Sequence, residues 1–290
     1  MNTDAKDRKI VINPVTRVEG HGKVTIHLDE KGGIDQARFH ITVFRGFERF
    51  VLGRLYWEVP VIIQRLCGIC PVSHLLCAAK AMDYIVGADE LTPTAEKIRR
   101  LMHFGQIFQS HALHFFHLCS PDLLFGFDAD PRKRNVIGVA MEYPELATQA
   151  VLMRKYGQEI IKATAGKKIH GNGAIPGGVN KNLSTAERDA FLKDIDQMVQ
   201  WSVDGLNLFK DLYRKDMSAL ASFGSFESNF VSLVREDGAL EVYDGQLRAK
   251  DPDGKILFDG VRPLDYLKYI GEEVRSWSYM KFPFIRSLGK

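Results

Sequence analysis

Cysteine is scarce in this sequence: there are four among 290 residues, all between Cys67 and Cys119. That excludes the disulfide framework of a secreted scaffold, which needs many more bridges for a chain of this length. Long apolar runs are missing too. Nothing approaches the roughly 18 consecutive apolar residues of a membrane span, and the opening "MNTDAKDRKI" lacks the apolar stretch of a signal peptide, so a cytoplasmic protein with no transmembrane segment is expected. Neither sign of charge dominates: 39 basic against 36 acidic residues leave a net +3, scattered along the chain. Without a basic stripe, nucleic acid is not an expected partner. There is no internal repeat and no low-complexity linker. What is present is 45% hydrophobic and 10% aromatic side chains, enough to bury a sizeable core in one large or two smaller domains.

Along the chain, "RKIVINPVTRVEGHGKVTIHLDEKGGIDQARFHITVF" alternates apolar and polar residues on both sides of Gly32-Gly33, the pattern of a half-buried antiparallel hairpin. Pro71 suits a first helical position, and "VSHLLCAAKAMDYIV" predicts a helix stopping before Gly87. Further helices are expected from Thr94 to about Leu118 and over "PELATQAVLMRKYGQEIIKATAG". Ser184 to Glu187 form a capping-box pattern opening the longest helix, to about Met217. "CSPDLLFGFDADPRKRN" and "HGNGAIPGGVNKN" read as ordered loops near a site. Short alternating runs from Asn229 to Gly260, separated by Asp237-Gly238 and Asp253-Gly254, predict a β-meander. "RPLDYLKYIGEEVRSWSYM" is expected to return to helix.

The chemistry concentrates in "QRLCGICPVSH". Cys67, Cys70, His74 and Cys77 are spaced three, four and three apart, the spacing of one helical stripe. On a continuous helix Cys67 and Cys77 would lie about 15 Å apart, which metal–sulfur bonds of about 2.3 Å cannot bridge. A turn at Cys67-Gly68-Ile69-Cys70 brings two thiolates together, but Cys77 stays about 10 Å further along the helix. Two thiolates with His74 one turn on are too few for a structural zinc, which takes four ligands. A redox pair, two core cysteines, or half of a zinc site all remain open for a lone C-x-x-C. Cys77 and Cys119, within apolar helical stretches, are expected to be buried small hydrophobes. His103, His111, His114 and His117 read as packing and hydrogen-bonding residues. Arg17 and Arg65 are expected to orient carboxylates or backbone in the interior.

"RLCGICPVSH" resembles the first nickel-binding motif, R-x-C-G-x-C-x-x-x-H, of [NiFe]-hydrogenase large subunits. "NPVTRVEGHGKV", "FRGFE" and "SHALHFFHL" are similar to other motifs of that family and occur in its order. "SPDLLFGFDADPRKRNV", "KKIHGNGAIPGGVNKNLS" and "WSYMKFPF" look most like the cytoplasmic, NAD-reducing, bidirectional branch. The resemblance implies that Cys67 is a terminal nickel ligand and that Cys70 bridges nickel and iron. It implies that His74 hydrogen-bonds the bridging sulfur and that Arg65 belongs to the site. Glu19 would relay protons, Glu48 would bind a buried magnesium, and Asp122 would lie over the active site. It further implies carbon monoxide and cyanide ligands on iron, H2 as substrate, a small subunit carrying an Fe–S cluster, and diaphorase subunits with flavin that pass electrons to NAD. Each carboxylate also has a plainer reading: Glu19 as a turn residue, Glu48 in an ion pair with Arg45 or Arg49, and Asp122 as a cap.

The expected fold class is α+β, mainly helical and like the [NiFe]-hydrogenase large subunit. A small N-terminal antiparallel sheet (1–45) leads into a helical core with the nickel motif (46–225). A β-meander insertion (226–260) and a helix with a truncated end (261–290) follow. The family's second motif, D-P-C-x-x-C near its C-terminus, is absent, since no cysteine follows Cys119. The chain is therefore expected to represent the N-terminal portion of a large subunit, incomplete and inactive alone. It could be a fragment, one half of a split subunit, or a non-catalytic interaction subunit with a zinc-binding half-site.

Overall fold

The computed structural model of the chain describes residues 8–88 and 90–289. Its strands are β1 (Lys9–Ile12), β2 (Gly22–Leu28), β3 (Ile34–Ile41), β4 (Ala174–Ile175) and β5 (Gly178–Val179). After these come β6 (Phe230–Val234), β7 (Gln246–Lys250), β8 (Ile256–Val261), β9 (Ile270–Val274) and β10 (Lys281–Ile285). The helices are α1 (Phe47–Phe50), α2 (Val59–Ile63), α3 (Pro71–Val86), α4 (Pro93–Leu113) and α5 (Ser120–Phe125). They continue with α6 (Val136–Glu142), α7 (Pro144–Ala165), α8 (Thr185–Lys215) and α9 (Met217–Ser222). The chain divides into two compact units, residues up to 50 with those from 227 onward, and residues 51–226. No helix among the described residues is long and apolar enough to cross a membrane.

The first unit is built from antiparallel strands: the sheet β1-β2-β3, the meander β6-β7-β8 and the pair β9-β10. Asp29 closes the β2–β3 turn by accepting the Lys31 and Gly33 amides, both at 2.8 Å. Gly32, at φ +82°, supplies the left-handed step that a side chain would resist. His40, buried at the end of β3, binds the Trp277 carbonyl through Nδ1 at 2.6 Å and Thr25 Oγ1 through Nε2 at 2.8 Å. A carbonyl only accepts, so Nδ1 carries the proton, and in the neutral ring Nε2 accepts from the Thr25 hydroxyl. Together with the Ile41 amide donating to Ser278 Oγ at 3.0 Å, this ties chain segments far apart in sequence into one body.

The second unit is helical, and its helices begin and end where local chemistry dictates. Pro71 and Pro144 occupy first-turn positions of α3 and α7, where a missing N–H costs nothing. Gly87 and Gly166, at φ +71° and +82°, end the same two helices. Thr92 caps α4 through the Ala95 amide. Ser184 and Glu187 form a reciprocal capping box on α8, as the sequence pattern requires. One core cluster gathers Leu75, Leu76 and Ala79 of α3 with Met102 of α4 and Ile161 of α7. A second joins Ala112, Phe116, Ala150, Met153 and Met198. Between them α4 and α7 meet at two glycines: a Cβ on Gly105 would come within 2.7 Å of Ile160, and one on Gly157 within 2.6 Å of the Gly105 carbonyl oxygen. The two backbones therefore approach as closely as their atoms allow.

Two expectations fail. The segment 262–280 is not an α-helix: Pro263–Lys268 is a 3-10 turn, and Ile270–Val274 is a strand paired with Lys281–Ile285. Its apolar spacing suits a helix, but pairing with "KFPFI" prevails, and Gly271 leaves room for the Phe284 ring, whose Cζ lies 2.4 Å from where a Cβ would stand. The run after Cys119 is not all loop either, because α5 occupies Ser120–Phe125. Before it the helix widens into a π-helical turn over His114–Cys119.

Candidate metal centre

The motif lies where a 3-10 turn, Gln64–Leu66, gives way to α3. Cys67 is extended (φ −142°, ψ 140°) and Cys70 precedes Pro71, so the two cysteines share a tight turn instead of a helix. Cys67 Sγ accepts the Ile69 amide at 3.3 Å and the Cys70 amide at 3.2 Å. These bonds fix the sulfur's direction and lay two amide dipoles against it. His74, one turn into α3, completes the group: the ligand atoms of Cys67, Cys70 and His74 all lie within 4.8 Å of one another, and each residue is half-buried. Two bonds of about 2.3 Å reach across at most about 4.6 Å, so the cluster is close to the span that one metal bridges. Two soft sulfurs and an imidazole suit nickel, iron or zinc better than a hard cation. Burial lowers the His74 pKa from its ordinary value, which favours the neutral ring, with one donor and one acceptor nitrogen.

The turn is held from three directions by residues that no sequence motif singles out. Gln106 and Gln109 of α4 both donate Nε2 to the Ile69 carbonyl, each at 3.1 Å. Gln158 of α7 donates to Gln109 Oε1 at 3.3 Å. His170 Nε2 meets the Cys67 carbonyl at 3.0 Å. The loop bearing His170 is in turn anchored by a fully buried Arg99, which binds Asp83 twice, at 2.6 and 3.1 Å. Arg99 also donates to the Ile175 and Gly178 carbonyls at 2.7 and 3.1 Å, while Asp83 accepts the Gly177 amide at 2.7 Å. A glutamine pair three apart on a helix and a charged pair within apolar helices were the available signals.

The other candidates are not among the three grouped residues. Arg65 is exposed on its 3-10 turn and Arg17 is exposed with φ +59°, so neither lies in the interior as expected. Cys77 is exposed, not buried, because it falls on the outward side of α3, and Cys119 is only half-buried, its sulfur 3.5 Å from the His114 ring. Asp122 lies in the first turn of α5, 3.5 Å from Arg134. His111 and His117 bind backbone carbonyls at 2.8 and 3.4 Å, as expected of hydrogen-bonding histidines. In the first unit, Glu19 is an exposed residue of the bend before Gly20. Glu48 is paired with Arg45 and lies 3.7 Å from Lys281. A backbone hydrogen bond, joined by these two cations, holds its pKa below the usual range. Two cations, Arg45 and Lys281, thus neighbour the carboxylate expected to bind magnesium.

Residues 9–44 match the family described as HoxL-like, and residues 45–135, which contain the cluster, match the nickel-dependent hydrogenase family. The chain is 48% identical to the NAD-reducing hydrogenase HoxS subunit beta of Cupriavidus necator, over 98% of this chain and 60% of that protein. It is 46% identical to one subunit of the F420-non-reducing hydrogenase vhu of Methanocaldococcus jannaschii, over 97% of this chain and 66% of that one. The crystal structure of an NAD+-reducing [NiFe]-hydrogenase in the H2-reduced state superposes with a TM-score of 0.94 at 55% identity, covering 98% of this chain and 63% of that one. The chain thus spans less than two thirds of the length of these relatives. With sequence and fold shared along nearly its whole length, the chain belongs to the nickel-dependent hydrogenase family.

Proposed function

We propose that this chain supplies two thiolates, with one imidazole beside them, to a nickel–iron centre that cleaves H2 reversibly into a proton and a hydride equivalent. The observation that carries the reading is the convergence of Cys67, Cys70 and His74 within 4.8 Å, inside the segment that matches the nickel-dependent family. In this reading Cys67 and Cys70 would hold the nickel through their thiolates, and Cys70 would also serve the iron. When bound, the centre supplies the soft Lewis acidity that H2, a very weak acid in water, needs for heterolysis. The chain's residues provide the rest. The Cys67 sulfur takes the proton, and Glu19 relays it outward. His74 donates a hydrogen bond to the Cys70 sulfur. Arg65 and Asp122 border the site. Carbon monoxide and cyanide on iron, and magnesium at Glu48, rest on the resemblance alone.

Electrons must leave by another route. Four cysteines in this sequence, two of them committed to nickel, are too few for an Fe–S cluster as well, and the resemblance puts that cluster on a partner subunit. By analogy with the NAD-reducing relatives, diaphorase subunits with flavin then reduce NAD, in the cytoplasm. The remaining nickel thiolates come from polypeptide outside this sequence, and the chain alone is inactive. A second reading follows from the same cluster: three donors are one short of a zinc tetrad, and a partner's ligand would complete a structural, non-catalytic site.

Replacing Cys70 with serine in the assembled enzyme distinguishes the two. Loss of H2 uptake together with loss of nickel supports the bridging role, whereas retained activity refutes it. Zinc bound without nickel or iron establishes the structural reading.

A further inference from the structure

The C-G-I-C turn makes hydrogen bonds to three side chains outside its own segment. Two of them, Gln106 and Gln109, converge on one carbonyl, that of Ile69, and fill both of its lone pairs. The third is His170, 103 residues away in sequence, which reaches the Cys67 carbonyl at 3.0 Å. That carbonyl can only accept, so His170 donates from Nε2. His170 adopts φ +54°, in the left-handed region that residues other than glycine seldom enter, although histidine does so more readily than most. Such a conformation persists only where the surroundings over-determine it.

The surroundings do so here. Just beyond His170, Gly171 and Gly173 press against the end of α7: a Cβ on Gly171 would lie 2.4 Å from the Ala165 carbonyl oxygen, and one on Gly173 2.5 Å from that of Thr164. Asn180 clasps the loop from its far side, donating Nδ2 to the Asn172 carbonyl at 2.8 Å. The buried Arg99–Asp83 pair grips it at Ile175, Gly177 and Gly178. A loop this firmly attached presents the imidazole from a fixed platform instead of letting it follow the turn.

We propose that His170 is a positioning residue for the metal centre, holding the Cys67 carbonyl so that the Cys67 sulfur keeps its place beside Cys70 and His74. The proposal rests on the metal-centre reading above. His170 acts through the backbone of Cys67, the residue whose sulfur also takes the two amide contacts.

The test compares His170→Ala and His170→Gln in the assembled complex, because glutamine places an amide donor near the position of Nε2. Three quantities are followed: nickel loss into excess chelator, amide exchange of the peptide covering residues 68–70, and thermal melting. The expected result is that His170→Ala loses nickel about ten-fold faster, the lower end of the effect of removing a supporting hydrogen bond at a metal site. Exchange at residues 68–70 rises, and His170→Gln restores both. Wild-type nickel retention and exchange in His170→Ala overturn the proposal. So does a His170→Gln variant that melts like wild type yet behaves like the alanine variant. If alanine prevents folding, the glutamine variant alone decides: near wild-type retention and exchange support the proposal, and rapid nickel leakage with normal melting refutes it. A wild-type complex without nickel refutes the metal-centre reading and, with it, the role at a metal. Exchange at residues 68–70 then shows separately whether His170 restrains the turn.

Discussion

Arg99 has no solvent exposure and gives four hydrogen bonds, two to Asp83 and one each to the Ile175 and Gly178 carbonyls. Arg99→Met keeps much of the volume while removing every donor. The Asp83 carboxylate would then keep its Gly177 amide contact at 2.7 Å but lose its counter-ion in a site with almost no water. Breaking one partner of a buried pair costs about 3–5 kcal/mol, and at about 2–4 °C per kcal/mol for a domain of this size the melting temperature should fall by about 6–20 °C. Urea unfolding and thermal scans of the purified complex read this directly. Asp83→Leu combined with Arg99→Met removes both charges and should recover much of the loss, since apolar replacement of an entire buried pair is often neutral. A single-variant cost below about 1 kcal/mol, or a double variant worse than the sum of the singles, refutes the reasoning. Because the pair anchors the loop that carries His170, nickel retention should fall with stability in Arg99→Met.

Gly157→Ala should destabilise by about 1–3 kcal/mol through overpacking. Its Cβ would lie 2.6 Å from the Gly105 carbonyl oxygen and 2.9 Å from the Gln109 amide nitrogen, backbone atoms that cannot rotate away. A higher urea midpoint, as alanine's helix propensity alone would give, contradicts that close approach. Glu187, bound by Lys181 and the Ser184 backbone and hydroxyl, has its pKa lowered from 4.5 to about 2. A carboxyl depressed on folding contributes stability that is complete above its unfolded pKa and is lost as pH falls through the folded value. The first turn of α8 should therefore fray between about pH 4.5 and pH 2, seen as reduced amide protection after correction for intrinsic exchange. Glu187→Gln should abolish that pH dependence, and an unchanged wild-type profile refutes the capping role.

Much of the helical unit was legible because its signals are local. Pro71, Gly87, Ser184 and Glu187 mark helix ends by chemistry that acts within one turn, and the structure begins and ends α3, and begins α8, as these residues require. The meander was legible from its turns, with Gly238 and Gly254 both at positive φ. The segment after Arg262 was not, because Ile270–Val274 becomes a strand only through its pairing with residues 281–285, and helical spacing does not report a distant partner. The same limit applies at the candidate metal centre. Cys67, Cys70 and His74 share one short motif and could be placed from spacing, whereas His170, Gln106 and Asp83 converge on it or its supporting loop only through tertiary packing. Cys77 shows the opposite error: it lies in an apolar stretch, yet helical phase turns it outward.

The identity of the metal that Cys67 and Cys70 would hold is the most direct test of the proposed chemistry. Nickel and iron should be counted by elemental mass spectrometry on the protein purified from its native host with whatever partner chains accompany it. About one nickel and one iron per chain is the expected result. Zinc alone, or no metal at all in a folded complex, contradicts it.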